Sequence, residues 1–155
     1  MLVSASPDKS VLIWDTKKSS AGQKLLGHKD KVYCAKISED DKLIASIGEG
    51  AELLIWDIAK AKDPIKRLDL KAAVGYDISW SNNGEYLFLT TIGGKTSAID
   101  AKTLNVVDES RIDVNEHVKM EGVCANWKTL PGRVFSACDN GLIVWYNFVH
   151  NKLQK

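Results

Sequence analysis

A dipeptide slot that returns at near-constant spacing constrains this chain more than any other sequence feature. Its four occupants are Trp14-Asp15, Trp56-Asp57, Ile99-Asp100 and Trp145-Tyr146, in steps of 42, 43 and 46 residues. Self-similarity at a fixed period of this length is typical of chains built from repeated supersecondary units. The sequence therefore predicts about four copies of one module along the 155 residues.

The clearest copy of the module begins at Gly27-His28 and ends at Trp56-Asp57. Between these dipeptides lie three apolar runs, VYCAKIS, KLIASIG and ELLIWDI, which the polar turns SEDDK and GEGAE separate. A fourth run, PIKRLDL, follows. Short β-rich runs parted by turn residues at such close spacing predict an antiparallel meander of four strands.

The same pattern extends over the whole chain and predicts an all-β fold of about fifteen strands. The predicted module boundaries are 1–26, 27–70, 71–112 and 113–155. The first module has only three strand-like runs, LVSAS, SVLIWD and GQKLL. The last is preceded by a polar insertion, Asp113 to Gly122, which we expect to be an exposed loop. The tail VHNKLQK is needed to complete the fourth strand of the last module.

These Gly-His starts, Trp-Asp ends and four-strand units of about 40 to 45 residues resemble WD repeats, which form the blades of β-propellers. The resemblance implies about four blades of four antiparallel strands, as part of a seven-bladed ring. Four such blades alone would leave two apolar faces in water. Either an N-terminal half outside this sequence or another chain supplies the rest. A closed four-bladed ring is the less favoured alternative.

In WD repeats a buried polar network pins each blade, and the resemblance implies its members here. The second module supplies His28, Ser46 and Trp56, with Glu49 or Glu52 where an Asp is usual; the first supplies Ser4 or Ser6, Asp8 and Trp14; the fourth supplies Ser136, Asp139 and Trp145. The third module has neither Gly-His nor Trp, so we expect apolar packing there. Such a network is worth burying only when each member is hydrogen-bonded.

The sequence shows no pattern typical of an enzyme, so we expect no catalytic residues, no cofactor and no small-molecule substrate. His28 lacks a nucleophile in a Ser-His-Asp pattern, and IGGK lacks the full phosphate-loop spacing. His117 and His150 have no Cys or His neighbours at zinc-ligand spacing, so no metal site is expected. The three cysteines, Cys34, Cys124 and Cys138, favour buried free thiols over a disulfide or metal site.

The surface charge leaves two interpretations open. The net charge of +1 gives no overall attraction to nucleic acid. Five lysines, however, are expected to cluster on one loop face of the first two modules: Lys17, Lys18, Lys24, Lys29 and Lys31. They could contact RNA phosphates or a protein partner, or they form an ordinary solvated surface. No apolar run is long enough to span a bilayer, so we expect no membrane contact. Buried free thiols indicate a reducing compartment, the cytosol or nucleus, and of these we expect the cytoplasm.

The order of the irregular features adds a closer resemblance. The run from MLVSASPDKSVLIWD through LDLKAAVGYDISWS and LNVVDE to VFSACDNGLIVWYNF is similar to the C-terminal half of the family of the receptor for activated C kinase. IDAK, in place of a Trp-Asp strand end, departs from that family. The resemblance implies that an N-terminal segment supplies the outer strand of the last blade.

This second resemblance also implies a function: a non-enzymatic platform on the small ribosomal subunit. Such a platform contacts rRNA and small-subunit proteins and docks signalling and translation factors through its propeller faces. The alternative is another WD-repeat subunit, of a Gβ-like signalling complex or of an RNA-processing or transport complex.

Overall fold

The structure, a computed structural model, describes residues 1–18, 22–60, 62–71, 73–111, 120–126, 132–138 and 141–155, and for 120–126 it describes the backbone alone. In these ranges the chain forms fifteen β-strands and no helix, so the predicted all-β class is confirmed. The chain divides into two compact units, Met1–Gly75 and Tyr76–Lys155. Asp139 and the part of the predicted loop from Asp113 to Lys119 lie outside the described residues. The rest of that predicted loop, residues 120–122, belongs to the strand Met120–Asn126 instead.

The first unit contains two antiparallel sheets. Its strands are β1 (Leu2–Ala5), β2 (Ser10–Trp14), β3 (Gln23–Leu26), β4 (Val32–Ile37), β5 (Leu43–Gly48), β6 (Glu52–Asp57) and β7 (Lys66–Asp69). The first sheet has the order β1-β2-β3 and the second the order β4-β5-β6-β7. Every neighbour in each sheet is also the next strand along the chain, which is the meander that the turn-separated runs predicted.

The second unit repeats this arrangement with four strands in each sheet. Its strands are β8 (Gly75–Trp80), β9 (Tyr86–Thr91), β10 (Lys95–Asp100), β11 (Val106–Arg111), β12 (Met120–Asn126), β13 (Arg133–Cys138), β14 (Ile143–Val149) and β15 (Lys152–Gln154). The third sheet comprises β8 to β11, and the fourth comprises β12 to β15. The turn between β8 and β9 closes with a 2.9 Å hydrogen bond from the Gly84 N–H to the Ser81 carbonyl. Gly84 has a φ of 70°, which favours glycine.

Each sheet has two faces that the register distinguishes. We call the front face the one that carries Trp14 in the first sheet and Trp56 in the second, and the back face its opposite. In the first unit, the back face of the first sheet packs on the front face of the second. The buried residues of this core are Val11, Ile13, Leu25, Val32, Ile44, Leu54 and Trp56.

The second unit has the same back-to-front core. Phe88 and Ala98 of the third sheet pack against Val134, Tyr146 and Phe148 of the fourth. The Phe88 and Phe148 rings meet edge to face, with centroids 5.1 Å apart. This is a favourable geometry for aromatic pairs. Because side chains alternate between faces along a strand, one set of residues enters this core while the other points away from it.

The outer strand of the fourth sheet comes from the C-terminal tail, which corrects an expectation from the resemblance. That family implied an N-terminal segment at this edge, whereas here β15 pairs with β14 through Asn147↔Gln154, Phe148↔Leu153 and Val149↔Lys152. Asp108 of β11 holds the strand in place. Its carboxylate accepts hydrogen bonds from the Leu153 N–H at 2.7 Å and from the Lys152 ammonium at 3.1 Å. The tail is therefore long enough to complete its own sheet.

Replacing Leu54 by alanine tests the core of the first unit. Leu54 is fully buried, so Leu54→Ala is expected to lower the free energy of unfolding by about 2–5 kcal/mol. Leu26→Ala is the matched control: Leu26 is 61% exposed, and its replacement is expected to cost no more than about 0.5 kcal/mol. Urea unfolding followed by tryptophan fluorescence measures both, and equal losses would contradict the assigned core.

Candidate functional site

The front face of the second sheet holds a hydrogen-bonded set of three residues predicted from the sequence. Ser46 on β5 lies opposite Leu54 on β6, two residues before Trp56. The Trp56 indole N–H donates to the Ser46 hydroxyl at 2.8 Å, and His28 Nε2 is hydrogen-bonded to the same hydroxyl at 2.7 Å. All three side chains are buried. One serine oxygen thus joins the loop before β4 to the two central strands.

A charged group lies beside this set, and the structure selects Glu52 over Glu49 for it. The Glu52 carboxylate is 3.7 Å from His28 Nδ1, which is longer than a hydrogen bond. It accepts a 2.9 Å hydrogen bond from the Lys29 N–H and pairs closely with the Arg67 guanidinium. Glu49 instead accepts from the Tyr33 hydroxyl at 3.2 Å and pairs with Lys31.

The electrostatics keep His28 neutral and Glu52 charged. Burial lowers the pKa of His28 from 6.5 to about 4; the nearby Glu52 carboxylate opposes this shift and the Arg67 charge adds to it. Burial by itself raises the pKa of Glu52. The hydrogen bonds from the Lys29 N–H and from Arg67 outweigh burial, so the pKa lies below its ordinary value. A neutral imidazole beside a compensated carboxylate suits a structural group.

The first sheet has part of the same arrangement. The Trp14 indole N–H donates to the Ser4 hydroxyl at 2.9 Å, so Ser4 rather than Ser6 is its partner. Asp8 does not contact this pair. Its carboxylate accepts from Ser10 and pairs with the Lys24 ammonium at 2.8 Å. The pKa of Asp8 lies well below its ordinary value, and the hydrogen bond from Lys24 is the main cause.

Trp145 does not occupy the place predicted for it in the fourth sheet. Ser136 lies opposite Val144, two residues before Tyr146, so Tyr146 holds the position that Trp56 has in the second sheet. Tyr146 is fully buried, whereas Trp145 is on the back face and 45% exposed. A shift of one residue moves a side chain to the other face of a strand. Counting from Trp-Asp spacing alone therefore selected the wrong aromatic residue.

Ser136 has a different hydrogen-bond partner from Ser46. Its hydroxyl and that of Thr96 on the third sheet are 2.9 Å apart and buried. The Tyr146 hydroxyl is buried without a hydrogen-bond partner among the described residues. In the third sheet, Leu89 and Ile99 occupy the positions that correspond to Ser46 and Trp56. Both are buried, so apolar packing replaces the hydrogen bond there.

The structure also shows ion pairs that the sequence did not predict. In the second and third sheets, an ion pair on the front face joins the third strand to the fourth. The pairs are Glu52 with Arg67 in the second sheet and Lys95 with Glu109, at 2.7 Å, in the third. In the first sheet, Lys24 has the position of Arg67, and its acid is Asp8 from the preceding turn. The two charges are exchanged in the third sheet. Aligning the modules on their strand-end aspartates matches Glu52 with Lys95 but not Arg67 with Glu109, because the pairing of β10 with β11 contains a register shift.

The predicted lysine cluster is wrong in its placement. Lys17 and Lys18 follow β2, whereas Lys29 and Lys31 follow β3, and consecutive connections of antiparallel strands lie at opposite ends of a sheet. Four of the five pair with carboxylates: Lys18 with Asp15 at 3.7 Å, Lys24 with Asp8 at 2.8 Å, Lys29 with Glu52 at 3.6 Å and Lys31 with Glu49 at 2.9 Å. These lysines therefore do not form one continuous cationic face.

Metal ligands and thiols are the other groups that could form a site. In the described ranges, no three or more His, Cys, Asp or Glu side chains are placed to hold a metal ion. Cys34 and Cys138 are thiols and do not form a disulfide with each other, and the side chain of Cys124 is not among those described. No helix in the described part of the chain has the length and apolar character that crossing a membrane requires.

Comparison with known proteins identifies the family of one module. Residues 20–57 match the WD40 family described as "WD domain, G-beta repeat". This range includes the hydrogen-bonded set His28, Ser46 and Trp56, and the remaining sheets repeat its antiparallel architecture. The chain therefore contains a WD repeat at residues 20–57.

Similar proteins cover different lengths of the chain. It is 26% identical over 147 residues to "Small ribosomal subunit protein RACK1y" of Oryza sativa subsp. japonica, covering 93% of this chain and 43% of that protein. It is 41% identical over 61 residues to "WD repeat and SOCS box-containing protein 1" of Xenopus tropicalis, covering 39% and 14%. It is 35% identical over 98 residues to "Protein FIZZY-RELATED 3" of Arabidopsis thaliana, covering 63% and 20%. The chain thus spans less than half the length of each.

The buried neutral histidine predicts a pH dependence of stability. In the unfolded chain His28 binds a proton below about pH 6.5, whereas in the folded chain it does so only near pH 4. The unfolded state therefore gains protons first as the pH falls, and stability is lost between pH 6.5 and 4. The expected loss from pH 7.5 to pH 5 is about 2 kcal/mol.

His28→Gln isolates this effect because glutamine does not titrate. The variant is expected to be about 1–2 kcal/mol less stable at pH 7.5 but to lose much less stability on acidification. His150→Asn is the control, since His150 is exposed in a turn with a φ of 49°, which asparagine tolerates. Urea midpoints of the parent protein and of both variants at pH 7.5 and 5 measure how much stability each one loses on acidification. A loss on acidification in His28→Gln as large as in the parent protein would exclude His28 as the cause.

The position of Tyr146 gives a prediction of opposite sign to the usual core substitution. Because its buried hydroxyl has no partner among the described residues, Tyr146→Phe is expected to leave stability unchanged or raise it by up to about 1 kcal/mol. Tyr86→Phe is the matched control, since it removes a 2.6 Å hydrogen bond to Asn151. Thermal or urea unfolding measures the stability of both variants relative to the parent protein. A clearly destabilised Tyr146→Phe would mean that this hydroxyl is bonded.

Proposed function

We propose that this WD-repeat protein is a non-enzymatic interaction scaffold, associated with the small ribosomal subunit, that docks signalling and translation factors. The similarity to Small ribosomal subunit protein RACK1y carries the proposal, because it extends over 93% of this chain rather than over one repeat. WD repeats in general mediate protein–protein contact. The ribosomal role is the more specific part and needs its own test.

The distribution of polar groups supports a binding role over catalysis. His28, the one histidine buried among the described residues, is neutral and hydrogen-bonded to Ser46. The buried carboxylate nearest to it, Glu52, is committed to Arg67 and to a backbone N–H. A general acid or base needs a group free to exchange a proton with a substrate. His28 is buried and Glu52 is paired, so neither is open to a substrate, and we propose that the protein has no catalytic site.

The surface charges suggest how a ribosome contact would be made. Lys17 and Lys18 lie together after β2, at the end of the sheet away from the paired Lys29 and Lys31. The Lys18 ammonium is 3.7 Å from the Asp15 carboxylate, and its side chain is 79% exposed. Exchanging so weak an ion pair for a phosphate costs little. We propose these two lysines as the RNA contact and the cytoplasm as the location.

The four sheets are proposed to be one sector of a larger propeller assembly. The seven-bladed ring remains a prediction from the resemblance, since the described strands make four sheets. Binding partners would reach the connections between strands, because the faces of the sheets are largely taken up by packing. This arrangement is typical of a rigid platform whose loops carry the contacts.

A second candidate function rests on the other similarities. Identity is higher, at 41% and 35%, to WD repeat and SOCS box-containing protein 1 and to FIZZY-RELATED 3. These matches cover only 39% and 63% of the chain. They favour a WD-repeat subunit of some other complex, of a Gβ-like signalling or RNA-processing or transport type. Affinity capture of the chain from cells and identification of the bound proteins distinguishes the two candidates.

Sedimentation with small ribosomal subunits through a sucrose gradient tests the ribosomal proposal. The chain is expected to travel with the subunits at low salt and to dissociate as salt rises. The double variant Lys17→Glu/Lys18→Glu should bind more weakly. Its slope of log K against log salt should be smaller by about 1 for each phosphate that the variant no longer binds.

A charge-matched control separates local binding from net charge. Lys102→Glu/Lys155→Glu makes the same change of charge at exposed positions of the second unit and should sediment like the parent protein. A chain that stays in the free fraction at low salt would exclude the ribosomal role. Equal weakening by both double variants would exclude Lys17 and Lys18 as the RNA-binding residues.

A further inference from the structure

The turn that joins β8 to β9 contains an asparagine followed by a glycine, Asn83-Gly84. Asn83 is exposed, and Gly84 has no side chain that would shield its backbone nitrogen. In such a pair the glycine nitrogen can attack the asparagine Cγ and form a five-membered succinimide ring. The side-chain nitrogen leaves as ammonia and takes the proton of the glycine N–H with it. Water then opens the ring at either of its two carbonyl carbons, which gives aspartate or isoaspartate.

The closed turn holds both of the groups that react. The Gly84 N–H donates to the Ser81 carbonyl at 2.9 Å. The side-chain oxygen of Asn83 accepts hydrogen bonds from the Ser81 hydroxyl at 2.7 Å and from the Glu85 N–H at 3.2 Å. Its side-chain nitrogen donates to the Glu85 carboxylate at 2.5 Å. Ring closure requires the Gly84 nitrogen to give up its proton and the Asn83 side chain to rotate toward it, so these hydrogen bonds must break first.

The turn between β4 and β5 in the second sheet has the same arrangement, with an aspartate in place of the asparagine. The Ser38 hydroxyl donates to the Asp40 carboxylate at 2.6 Å, and the Lys42 N–H donates to it at 3.2 Å. A carboxylate therefore fits the position of Asn83. The Lys42 ammonium lies 3.3 Å from the Asp40 carboxylate, whereas Glu85 has the position of Lys42 in the third sheet. The second sheet thus supplies a counter-charge at this point, and the third sheet supplies a second acid.

A carboxylate at position 83 would therefore weaken the turn that the amide stabilises. It has no N–H to donate to Glu85, and two carboxylates at the distance of that hydrogen bond repel each other. The isoaspartate product adds a further change, because its backbone passes through the side-chain methylene and is one atom longer. This turn joins β8 to β9, and turn geometry sets the register of the strands in a hairpin.

We propose that Asn83 is a site of spontaneous deamidation, which the closed turn slows and which weakens the turn once it has occurred. The modification is a one-way change, since the released ammonia is diluted into the solvent. A chain in which this turn has opened repeatedly is therefore marked at position 83, and its turn opens more readily afterwards. The reaction involves the turn between β8 and β9 alone and does not depend on the ribosomal role.

Peptide mapping of the full chain by mass spectrometry tests the protective effect of the turn. The chain is incubated at pH 7.5, folded or unfolded in guanidinium chloride, and the aspartate and isoaspartate formed at position 83 are measured over time. The folded chain is expected to react about 10- to 100-fold more slowly, because the hydrogen bonds of the turn must break first. Asn82 is the control in the same peptide, since the side chain of the residue after it hinders the attack. No product at Asn83 in the unfolded chain, or equal rates in the two states, would overturn the proposal.

Ser81→Ala tests whether this turn or the stability of the whole fold gives the protection. It removes the hydroxyl that bonds both Asn83 and the Tyr86 N–H, so the folded variant should deamidate about 2- to 10-fold faster. Ser38→Ala is the matched control, because it removes the same two contacts from the turn of the second sheet and should react like the parent protein. Circular dichroism verifies that both variants fold. Equal acceleration by both would assign the protection to global stability and contradict the role of the turn.

Asn83→Asp reproduces the aspartate product, and urea unfolding measures its effect on stability. The variant is expected to lower the ratio of folded to unfolded chain about 3- to 10-fold, through the lost hydrogen bond and the repulsion by Glu85. Asn83→Asp/Glu85→Lys gives the third sheet the acid–lysine arrangement of the second and should restore the urea midpoint of the parent protein. An Asn83→Asp variant as stable as the parent would overturn the proposed weakening. So would a double variant no more stable than Asn83→Asp, because the loss would then not come from Glu85.

Discussion

The alternation of side chains along a strand is the constraint on which the rest of this structure depends. Because neighbouring residues point to opposite faces, each sheet has two surfaces that need covering. The second sheet meets this requirement with Trp56 on one face and Ile55 on the other, both essentially unexposed. The fourth sheet meets it on one face only, where Tyr146 and Phe148 are buried while Trp145 remains open. The difference between a buried and an exposed aromatic residue is here a difference of one position.

The modules share this architecture but solve the problem of the buried polar position differently. In the second sheet the Ser46 hydroxyl is bonded to both His28 and Trp56. In the first, Ser4 is bonded to Trp14 alone. The fourth sheet bonds Ser136 across to the neighbouring sheet, and the third replaces the pair with apolar side chains. Each solution avoids an unpaired serine, which would cost more than the hydrogen bond contributes. The fold therefore tolerates loss of the Gly-His and Trp-Asp motifs.

Charges on the front faces are paired in the same way and favour a scaffold. The ion pair between the third and fourth strands is also present in the third sheet, where the acidic and basic residues have changed places, as Lys95 and Glu109. The two sheets thus share the ion pair but not the residue type at each position. This suggests that each charge is there to neutralise its partner and does not serve a reacting site. Four of the five lysines predicted to cluster in the first unit are likewise paired. A platform with rigid sheets and variable connections is consistent with these features.

The sequence by itself determined where the strands lie and how they connect. Turn residues and β-rich runs are local signals, so the repeated antiparallel strands could be predicted, and the set His28, Ser46 and Trp56 was predicted through the family resemblance. Tertiary structure decided which residues meet across strands. The choice of Tyr146 over Trp145, the pairing of Glu52 with Arg67 and the separation of Lys17 from Lys29 all depend on register and strand direction. These arise from pairing between residues distant along the chain, where a shift of one position reverses the face of every side chain.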